Sequence, residues 1–482
     1  MSRLSKAVFP LAYIYCALPL VFFFMGWLKI YIAIPAAAVL IAALWFCMKN
    51  SPDISPETDK NSVAIIAAAL FIIVLWVLLS GIGRVMYQNP DHQIRNTVYE
   101  ILVNQSWPVK AYIPTENGTE GRGLIYYIGF WMPAAVVGKI FGTAVGYVFQ
   151  MIWAVLGIFL LYMLICAKMG KIRLFPLVVF IFFSGLDIVG FELFYGDVEK
   201  YNIIAHIEWW TGADIFQFSS FTTQLFWVFN QAIPAWILTL LAYSQKNNRN
   251  IVFLAGLSML NSTLPFVGMI PLFLCFVFEK LRSFKKEDVK AFAKDLFGFV
   301  NILGGGISGI ISFIYLKGNT SGQNIGSAGS VGYGSSYFIL AALFVLLEAG
   351  VYYLAVLKYQ KKRPIFYISL IWLCICPIIR VGLAADFCMR ASVPALFMLY
   401  MLVTETLAKA FEKKDRVTAA ALIVILCIGA VTAVHEISRS VVYTVLADGH
   451  PLNASADEYE VMTAGNFTGK LDGNFFFEYL AK

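Results

Sequence analysis

The chain has 482 residues, of which 60% are hydrophobic and only 13% are charged, and its mean hydropathy is +0.75. Soluble domains have about 45–50% apolar and about 25% charged residues, so this composition excludes ordinary soluble enzymes and nucleic-acid-binding modules. The formal net charge of +7 comes from Lys and Arg clusters between apolar runs, where such residues orient membrane spans. We therefore expect membrane lipids, and no nucleic acid, as partners.

Apolar runs of about 20 residues recur along the chain, and as helices they are long enough to cross about 30 Å of hydrocarbon. They lack the alternation of β-barrel strands and predict an all-α polytopic membrane protein with about thirteen transmembrane helices. The predicted spans are 7–27, 31–48, 62–83, 143–167, 174–195, 221–244, two short helices within 251–279, 296–316, 336–357, 364–383, 391–408 and 417–438.

Three units follow from these spans. Residues 1–61 form a two-helix hairpin with a polar connector, residues 62–438 form the transmembrane core, and residues 439–482 form a short tail. The core contains two long outer loops, 84–142 and 196–220. A third loop, 318–334, is rich in Gly and Ser, which is typical of a flexible tether or of a loop that becomes ordered when substrate binds.

The apolar segment 124–141 is the ambiguous part of the first loop. If it crossed the membrane, every later cluster of basic residues would change sides and violate the positive-inside rule. We therefore predict an interfacial helix on the outer surface. This topology places the N-terminus in the cytoplasm, and both the loop 84–142 and the tail outside the plasma membrane.

The loop 84–142 begins with Asn89-Pro90-Asp91-His92-Gln93-Ile94-Arg95-Asn96. Asp91 follows an apolar span closely, so it is a candidate general base at the membrane surface; the alternative role is a cap for the helix predicted from residue 93 onward. His92, Asn96 and Glu100 are candidate acceptor-binding residues. Arg95 either binds a phosphate or forms a surface ion pair with Glu100.

Two arginines, Arg380 and Arg390, flank the predicted outer turn 381–389. An Arg at the end of a span often reaches toward the lipid headgroups. Two of them at one turn also suit a phosphate, because a guanidinium binds its oxygens in a bidentate manner. We expect Asp386 to pair with one of them.

The second outer loop contains His206, Glu208, Trp209 and Trp210. Aromatic rings beside carboxylates suit sugar binding, although Trp residues at this depth are also typical of the interfacial aromatic belt. Carboxylates with a His also raise the possibility of a divalent cation, but no spacing is diagnostic of a metal site.

Three carboxylates, Asp187, Glu192 and Glu348, lie within apolar runs and are expected to face the interior of the bundle. Asp187 and Glu192 are further candidates for acceptor or sugar binding. Glu348 lies near the middle of its span, where an ion or proton relay would place it. Asp187 and Glu348 therefore support an alternative function, a transporter or lipid flippase.

Several local motifs carry a resemblance to a known family. Trp107-Pro108-Val109 precedes Tyr126-Tyr127-Ile128-Gly129-Phe130-Trp131-Met132-Pro133, which is followed by Gly138-Lys139-Ile140-Phe141-Gly142 and a returning span. Over residues 62–168 this pattern resembles uncharacterised bacterial members of the GT-C superfamily of integral membrane glycosyltransferases. Two features differ from that family: two spans precede the span that leads into the catalytic loop, and Asp91-His92 replaces the usual pair of acidic residues.

The resemblance implies an inverting enzyme that moves a sugar from a polyprenyl-phosphate-linked donor to a cell-envelope acceptor on the non-cytoplasmic face. By that resemblance Asp91 is the catalytic carboxylate of the first outer loop. Arg390, Arg380 and Arg95 are the residues expected to hold the donor phosphate. Besides the transporter, a non-catalytic assembly partner of envelope enzymes stays open as an alternative.

Overall fold

A computed structural model describes residues 2–52, 54–116, 118–195, 203, 205–212, 215–282, 289–319, 335–381, 385–446 and 454–482. Within these residues, eleven helices are long and apolar enough to cross a membrane. The polytopic helical architecture is therefore confirmed. Three further apolar helices are shorter, at Gly129–Phe141, Ile251–Asn261 and Pro364–Ile378. The count of thirteen spans requires two of these to cross, and it stays a prediction.

The helices follow the predicted spans closely. In chain order they are α1 (Ser2–Trp27), α2 (Ile30–Lys49), α3 (Ser62–Leu79), α4 (Asp91–Asn104), α5 (Met132–Phe141), α6 (Thr143–Met169), α7 (Phe175–Phe182), α8 (Asp187–Tyr195), α9 (Phe221–Tyr243), α10 (Ile251–Asn261), α11 (Thr263–Arg282), α12 (Val289–Leu296), α13 (Gly306–Lys317), α14 (Ser335–Val345), α15 (Val351–Gln360), α16 (Pro364–Ile375), α17 (Asp386–Ala391), α18 (Val393–Glu412), α19 (Arg416–Leu446) and α20 (Glu458–Thr463).

Several spans have irregular backbone, and two of them bear on the candidate sites. The span Phe175–Tyr195 is interrupted between α7 and α8, where Phe183 is extended and Ser184-Gly185 follows. The span Ser336–Gln360 contains a π-helical segment, Leu346–Gly350, between α14 and α15. Such irregular backbone is common at functional sites. Both irregularities lie beside buried carboxylates.

A small sheet, absent from the predicted elements, lies at one end of the bundle. Strands β1 (Lys110–Thr115) and β2 (Gly118–Leu124) form an antiparallel hairpin, and β3 (Thr468–Lys470) from the tail pairs with β2. The sheet is small, and the fold remains consistent with the predicted all-α polytopic class. The loop 84–142 and the tail residues 454–482 form one layer, and we call this end of the bundle the loop face.

The opposite end carries the basic clusters. The connector before α3 contacts the turn after α6, because the Glu57 amide donates to the Gly170 carbonyl at 2.8 Å and Lys171 pairs with Asp59 at 3.7 Å. These two segments therefore share one side. With α3 and α6 as the two spans between them, this arrangement agrees with the prediction that the segment 124–141 does not cross.

Ion pairs join the other basic segments at this end. They are Arg173 with Glu412 at 3.7 Å, Arg249 with Asp295 at 2.7 Å, Lys358 with Asp415 at 2.6 Å and Arg363 with Glu405 at 2.5 Å. The predicted grouping of the basic clusters agrees with these contacts.

Helices α5 and α6 form a tight hairpin around Gly142, which has a φ of 94°. A Cβ atom on Gly146 would lie 1.8 Å from the Tyr99 hydroxyl oxygen and 2.9 Å from the Cα atom of Gly138. The hairpin therefore depends on close backbone contact, and α4 packs against the same contact through Tyr99.

Gly146→Ala is expected to destabilise the protein by about 1–3 kcal/mol, because the added methyl group overpacks this contact. The matched control is Gly309→Ala in α13, where the nearest atom to a Cβ is 3.8 Å away. Thermal unfolding in detergent checks both variants, and equal melting temperatures would contradict the packing described for α5 and α6.

Candidate active site at the loop face

The start of α4 is fixed by Asn89. The Asn89 side chain accepts a hydrogen bond from the Asp91 amide at 3.1 Å and donates one to the Phe226 carbonyl at 2.7 Å. The alternative role of Asp91 as the helix cap is wrong, because Asp91 is the first residue of α4, the N-cap position is Pro90, and no side chain caps this end. The Asp91 carboxylate instead accepts from Arg95 Nη2 at 2.9 Å, with 46% of the Asp91 side chain exposed and 7% of the Arg95 side chain.

Arg390 approaches the same carboxylate from α17. Its Nη2 pairs with Asp386 at 3.1 Å, as expected, and its Nη1 donates to the Tyr127 hydroxyl at 2.8 Å. The Tyr126 hydroxyl donates to that of Tyr127 at 2.5 Å. Arg390 interacts electrostatically with Asp91 as well. Residues far apart in sequence thus meet at the loop face.

The pKa of Asp91 reflects two opposing effects. Desolvation by the surrounding protein raises it, but the positive charges of Arg95 and Arg390 outweigh desolvation and hold the pKa below its usual value. Asp91 is consequently ionised at neutral pH. While its partners remain in place, it is also a weaker base than a free aspartate.

The guanidinium groups at this site have unused hydrogen-bond donors. Among the described residues, buried nitrogens without an acceptor include Arg95 Nε and Nη1, Arg390 Nε and Arg380 Nε. Arg380 also lies 5.8 Å above the ring of Tyr337. Buried N–H groups without acceptors are costly, so a ligand with acceptor atoms could bind to these donors.

His92 and Asn96 face the protein interior. His92 Nε2 lies 2.9 Å from the Phe226 carbonyl oxygen, and its Nδ1 lies 3.2 Å from the Gln88 side-chain nitrogen. Burial lowers the pKa of His92 to about 3, so the ring is neutral. Asn96 donates to Gln88 Oε1 at 2.7 Å and to the Ala454 carbonyl at 3.2 Å. Both side chains hold α4 in place.

Glu100 also connects secondary structure elements. It pairs with Arg84 at 2.9 Å and accepts from the Tyr147 hydroxyl at 2.9 Å, which ties α4 to α6. The alternative ion pair between Arg95 and Glu100 is therefore wrong. Arg95 pairs with Asp91, one helical turn before it.

Part of the second loop contacts the same region. The ring of His206 stacks on Trp209 at 4.2 Å and lies 5.1 Å from the ring of Trp227. Its Nδ1 is buried and has no hydrogen-bond partner among the described residues, and the ring interacts electrostatically with Asp91. Burial, with the nearby Arg439 charge, lowers the pKa of His206 to about 3. Trp209 is partly exposed, at 37%.

A small pocket of about 10 Å³, with room for about one water molecule, lies beside Asn89. Its wall includes Trp227 and Tyr87, together with a buried ion pair between Glu436 and Arg439 at 2.7 Å. Trp227 Nε1 donates to Glu436 at 3.0 Å. The sequence analysis did not select these residues. The available signal was the three-residue spacing of Glu436 and Arg439 near the end of the last span, which places both on one helix face.

The remaining predicted residues lie elsewhere. Glu192 is exposed on α8. Trp210 is buried and donates to Glu348 at 2.8 Å, so it faces the bundle interior. Glu208 is buried, and its oxygens accept from the Ser220 amide and the Gln217 side chain. Burial and the Asp187 charge raise the pKa of Glu208 to about 8.

Asp187 is buried at the start of α8. Its Oδ2 accepts from the hydroxyls of Ser184 at 2.6 Å and Thr432 at 2.8 Å. Asp187 and Glu348 therefore belong to a second cluster, separate from Asp91 and its arginines.

The described residues contain no group of three or more His, Cys, Asp or Glu side chains placed to hold a metal ion. The described polar groups around Arg95 and Arg390 are their guanidinium donors, the Tyr126 and Tyr127 hydroxyls and the partly exposed carboxylates of Asp91 and Asp386. Compared with protein-family models, curated proteins and solved structures, the chain matches none.

Proposed function

We propose that this chain is a membrane glycosyltransferase that uses a polyprenyl-phosphate-linked sugar at the loop face, with that face outside the cytoplasm. The observations that carry the proposal are the ion pair of Asp91 with Arg95 and its electrostatic interaction with Arg390, since both guanidinium groups have unused donors among the described residues. A base and two cations at one place suit glycosyl transfer, in which an acceptor loses a proton and a phosphate departs.

Arg95 and Arg390 are assigned to the donor phosphate. Each is held at one side by a carboxylate, Asp91 or Asp386, and retains N–H groups without acceptors. A charge-assisted hydrogen bond from a guanidinium to phosphate contributes about 1.5–3 kcal/mol. Arg380, also with an unused Nε donor, is assigned to the edge of this site.

Phosphate binding also prepares the base. The Arg95 charge currently stabilises ionised Asp91. A phosphate on Arg95 compensates part of that charge, which raises the pKa of Asp91 and makes it a stronger base. Asp91 then takes the acceptor hydroxyl proton, the hydroxyl oxygen attacks the anomeric carbon, and the bond from that carbon to the phosphate oxygen breaks. The electron pair remains on polyprenyl phosphate, and a single displacement inverts the sugar.

Trp209 and His206 are assigned to the sugar. Trp209 offers a partly exposed indole face, and His206 presents a buried Nδ1 without a partner near Asp91. As a neutral imidazole, His206 can accept or donate a hydrogen bond with a sugar hydroxyl. Trp210 is left out of this site because its indole nitrogen is bonded to Glu348.

The test is binding of a short-chain polyprenyl monophosphate to the full chain in lipid nanodiscs. Arg390→Gln is expected to weaken binding by about 10- to 100-fold, because one charge-assisted contact is lost. Arg249→Gln is the matched control, since Arg249 also pairs with an aspartate but at the opposite end of the bundle. Equal affinities for wild type and Arg390→Gln would contradict the phosphate site.

A second candidate function is transport, favoured by the interrupted span Phe175–Tyr195 beside buried Asp187 and Glu348. Broken helices at mid-membrane commonly bind substrates or coupling ions in transporters. Glu348→Gln distinguishes the two functions. Loss of solute flux in proteoliposomes without any loss of sugar transfer would favour transport.

A further inference from the structure

The buried acids lie where two irregular segments touch. The Leu186 amide, between α7 and α8, donates to the Leu347 carbonyl of the π-helical segment at 3.2 Å. The Tyr352 hydroxyl donates to the Ser184 carbonyl at 2.8 Å. A Cβ on Gly185 would lie 1.7 Å from Glu348 Oε2. The interrupted span therefore closes directly over the Glu348 carboxyl group.

Each carboxyl group has one satisfied oxygen and one unsatisfied oxygen. Asp187 Oδ2 accepts from Ser184 and Thr432, and Glu348 Oε1 accepts from Trp210 Nε1. Asp187 Oδ1 and Glu348 Oε2 have no donor among the described residues, although both side chains are only 1% exposed. The two carboxyl groups are also hydrogen-bond neighbours.

The groups around this pair supply no compensating charge. Glu208 faces it from the second loop, Tyr352 from α15 and Cys388 from α17. Neither Asp187 nor Glu348 forms an ion pair with a residue that the structure describes. Two adjacent ionised carboxylates in such an environment are very unfavourable, because each is desolvated and they repel each other.

We propose that Asp187 and Glu348 bind one proton between them, as a carboxylic acid hydrogen-bonded to a carboxylate. The O–H group of one donates to the unsatisfied oxygen of the other, so a single proton satisfies both oxygens and leaves one negative charge. This proton links the interrupted span to the π-helical segment. It does not depend on the proposed sugar transfer, because Asp91 and its arginines form a separate cluster.

Infrared difference spectroscopy of the full chain in lipid nanodiscs tests the shared proton. Asp187→Asn and Glu348→Gln are each expected to remove one protonated-carboxyl C=O band present at neutral pH. The double variant is expected to remove no second band, because only one proton is present. The control Glu192→Gln, an exposed acid on α8, is expected to keep the band. Two bands lost in the double variant, or none in either single variant, would overturn the proposal.

Thermal unfolding at several pH values provides a second test of the shared proton. This test can be used even if one of the variants folds poorly. Glu348→Gln provides an amide donor to Asp187 in place of the proton, so it is expected to fold. The melting temperature of the wild type should fall as the pH rises and removes the proton, whereas that of Glu348→Gln should change much less. If Glu348→Gln does not fold, Asp187→Asn serves in its place. If Na⁺ stabilises the wild type at constant pH and this effect disappears in the variant, the two carboxylates bind a metal cation. That result would overturn the shared proton.

Discussion

Asp91→Asn is expected to lower the rate of sugar transfer by about 10²- to 10⁴-fold, the usual contribution of a positioned general base. Asparagine has nearly the same shape but takes no proton from the acceptor hydroxyl. Donor affinity should change little, because Arg95 and Arg390 still hold the phosphate. The loss should therefore appear in kcat and not in KM for the donor, measured with a labelled polyprenyl-phosphate sugar in proteoliposomes.

Asp295→Asn is the matched control for this variant. Asp295 also pairs with an arginine, Arg249, at 2.7 Å, but at the end of the bundle opposite the loop face. It tests whether the loss of any ion-paired aspartate affects activity through folding. Full activity of Asp91→Asn, or equal losses in the two variants, would remove Asp91 as the base.

Arg95→Gln is expected to weaken donor binding by about 10- to 100-fold through the lost phosphate contact and also to change the pH dependence of transfer. The Arg95 charge lowers the pKa of Asp91, whereas desolvation raises it. Without the Arg95 charge, less positive charge remains to offset desolvation, so the pKa of Asp91 rises. A general base must be deprotonated, and activity falls as the pH drops through its pKa.

The acidic limb of the kcat/KM profile should therefore move to higher pH in Arg95→Gln than in the wild type. Measuring initial rates across the acidic range, with Arg249→Gln as the control, checks this shift. If the acidic limb stays at the same pH or moves to lower pH, Arg95 does not control the ionisation of Asp91.

Hydropathy and charge predicted the helices well, because a run of about 20 apolar residues has few stable alternatives in lipid. The distribution of Lys and Arg predicted that segment 124–141 does not cross the membrane, and the ion pair between Lys171 and Asp59 agrees with that prediction. The pairing of β3 with β2 was not predicted, since it joins segments that are distant in sequence. The local signal for the β1–β2 hairpin was Glu116-Asn117-Gly118 between two alternating segments.

The candidate site was predictable in residue type but not in contacts. Asp91 and Arg95 are four residues apart on one helix, so their pairing could be expected. The approach of Arg390 to Asp91 depends on how α17 packs against the loop face, which no local pattern encodes. The contact of Asn89 with the Asp91 amide was overlooked, because Pro90 separates Asn89 from the helix. The small residues Ser184-Gly185 in an apolar run could have indicated an interruption of this span. Nothing in the sequence indicated that Gly185 contacts Glu348.

A double-mutant cycle on Arg95 and Arg390 tests most directly whether these two residues bind one phosphate. Affinities of polyprenyl monophosphate are measured for wild type, Arg95→Gln, Arg390→Gln and the double variant in lipid nanodiscs. If both guanidinium groups contact the same phosphate, the double variant should deviate from additivity by about 0.5–3 kcal/mol. Strictly additive losses, or no loss in either single variant, would contradict a shared phosphate site beside Asp91.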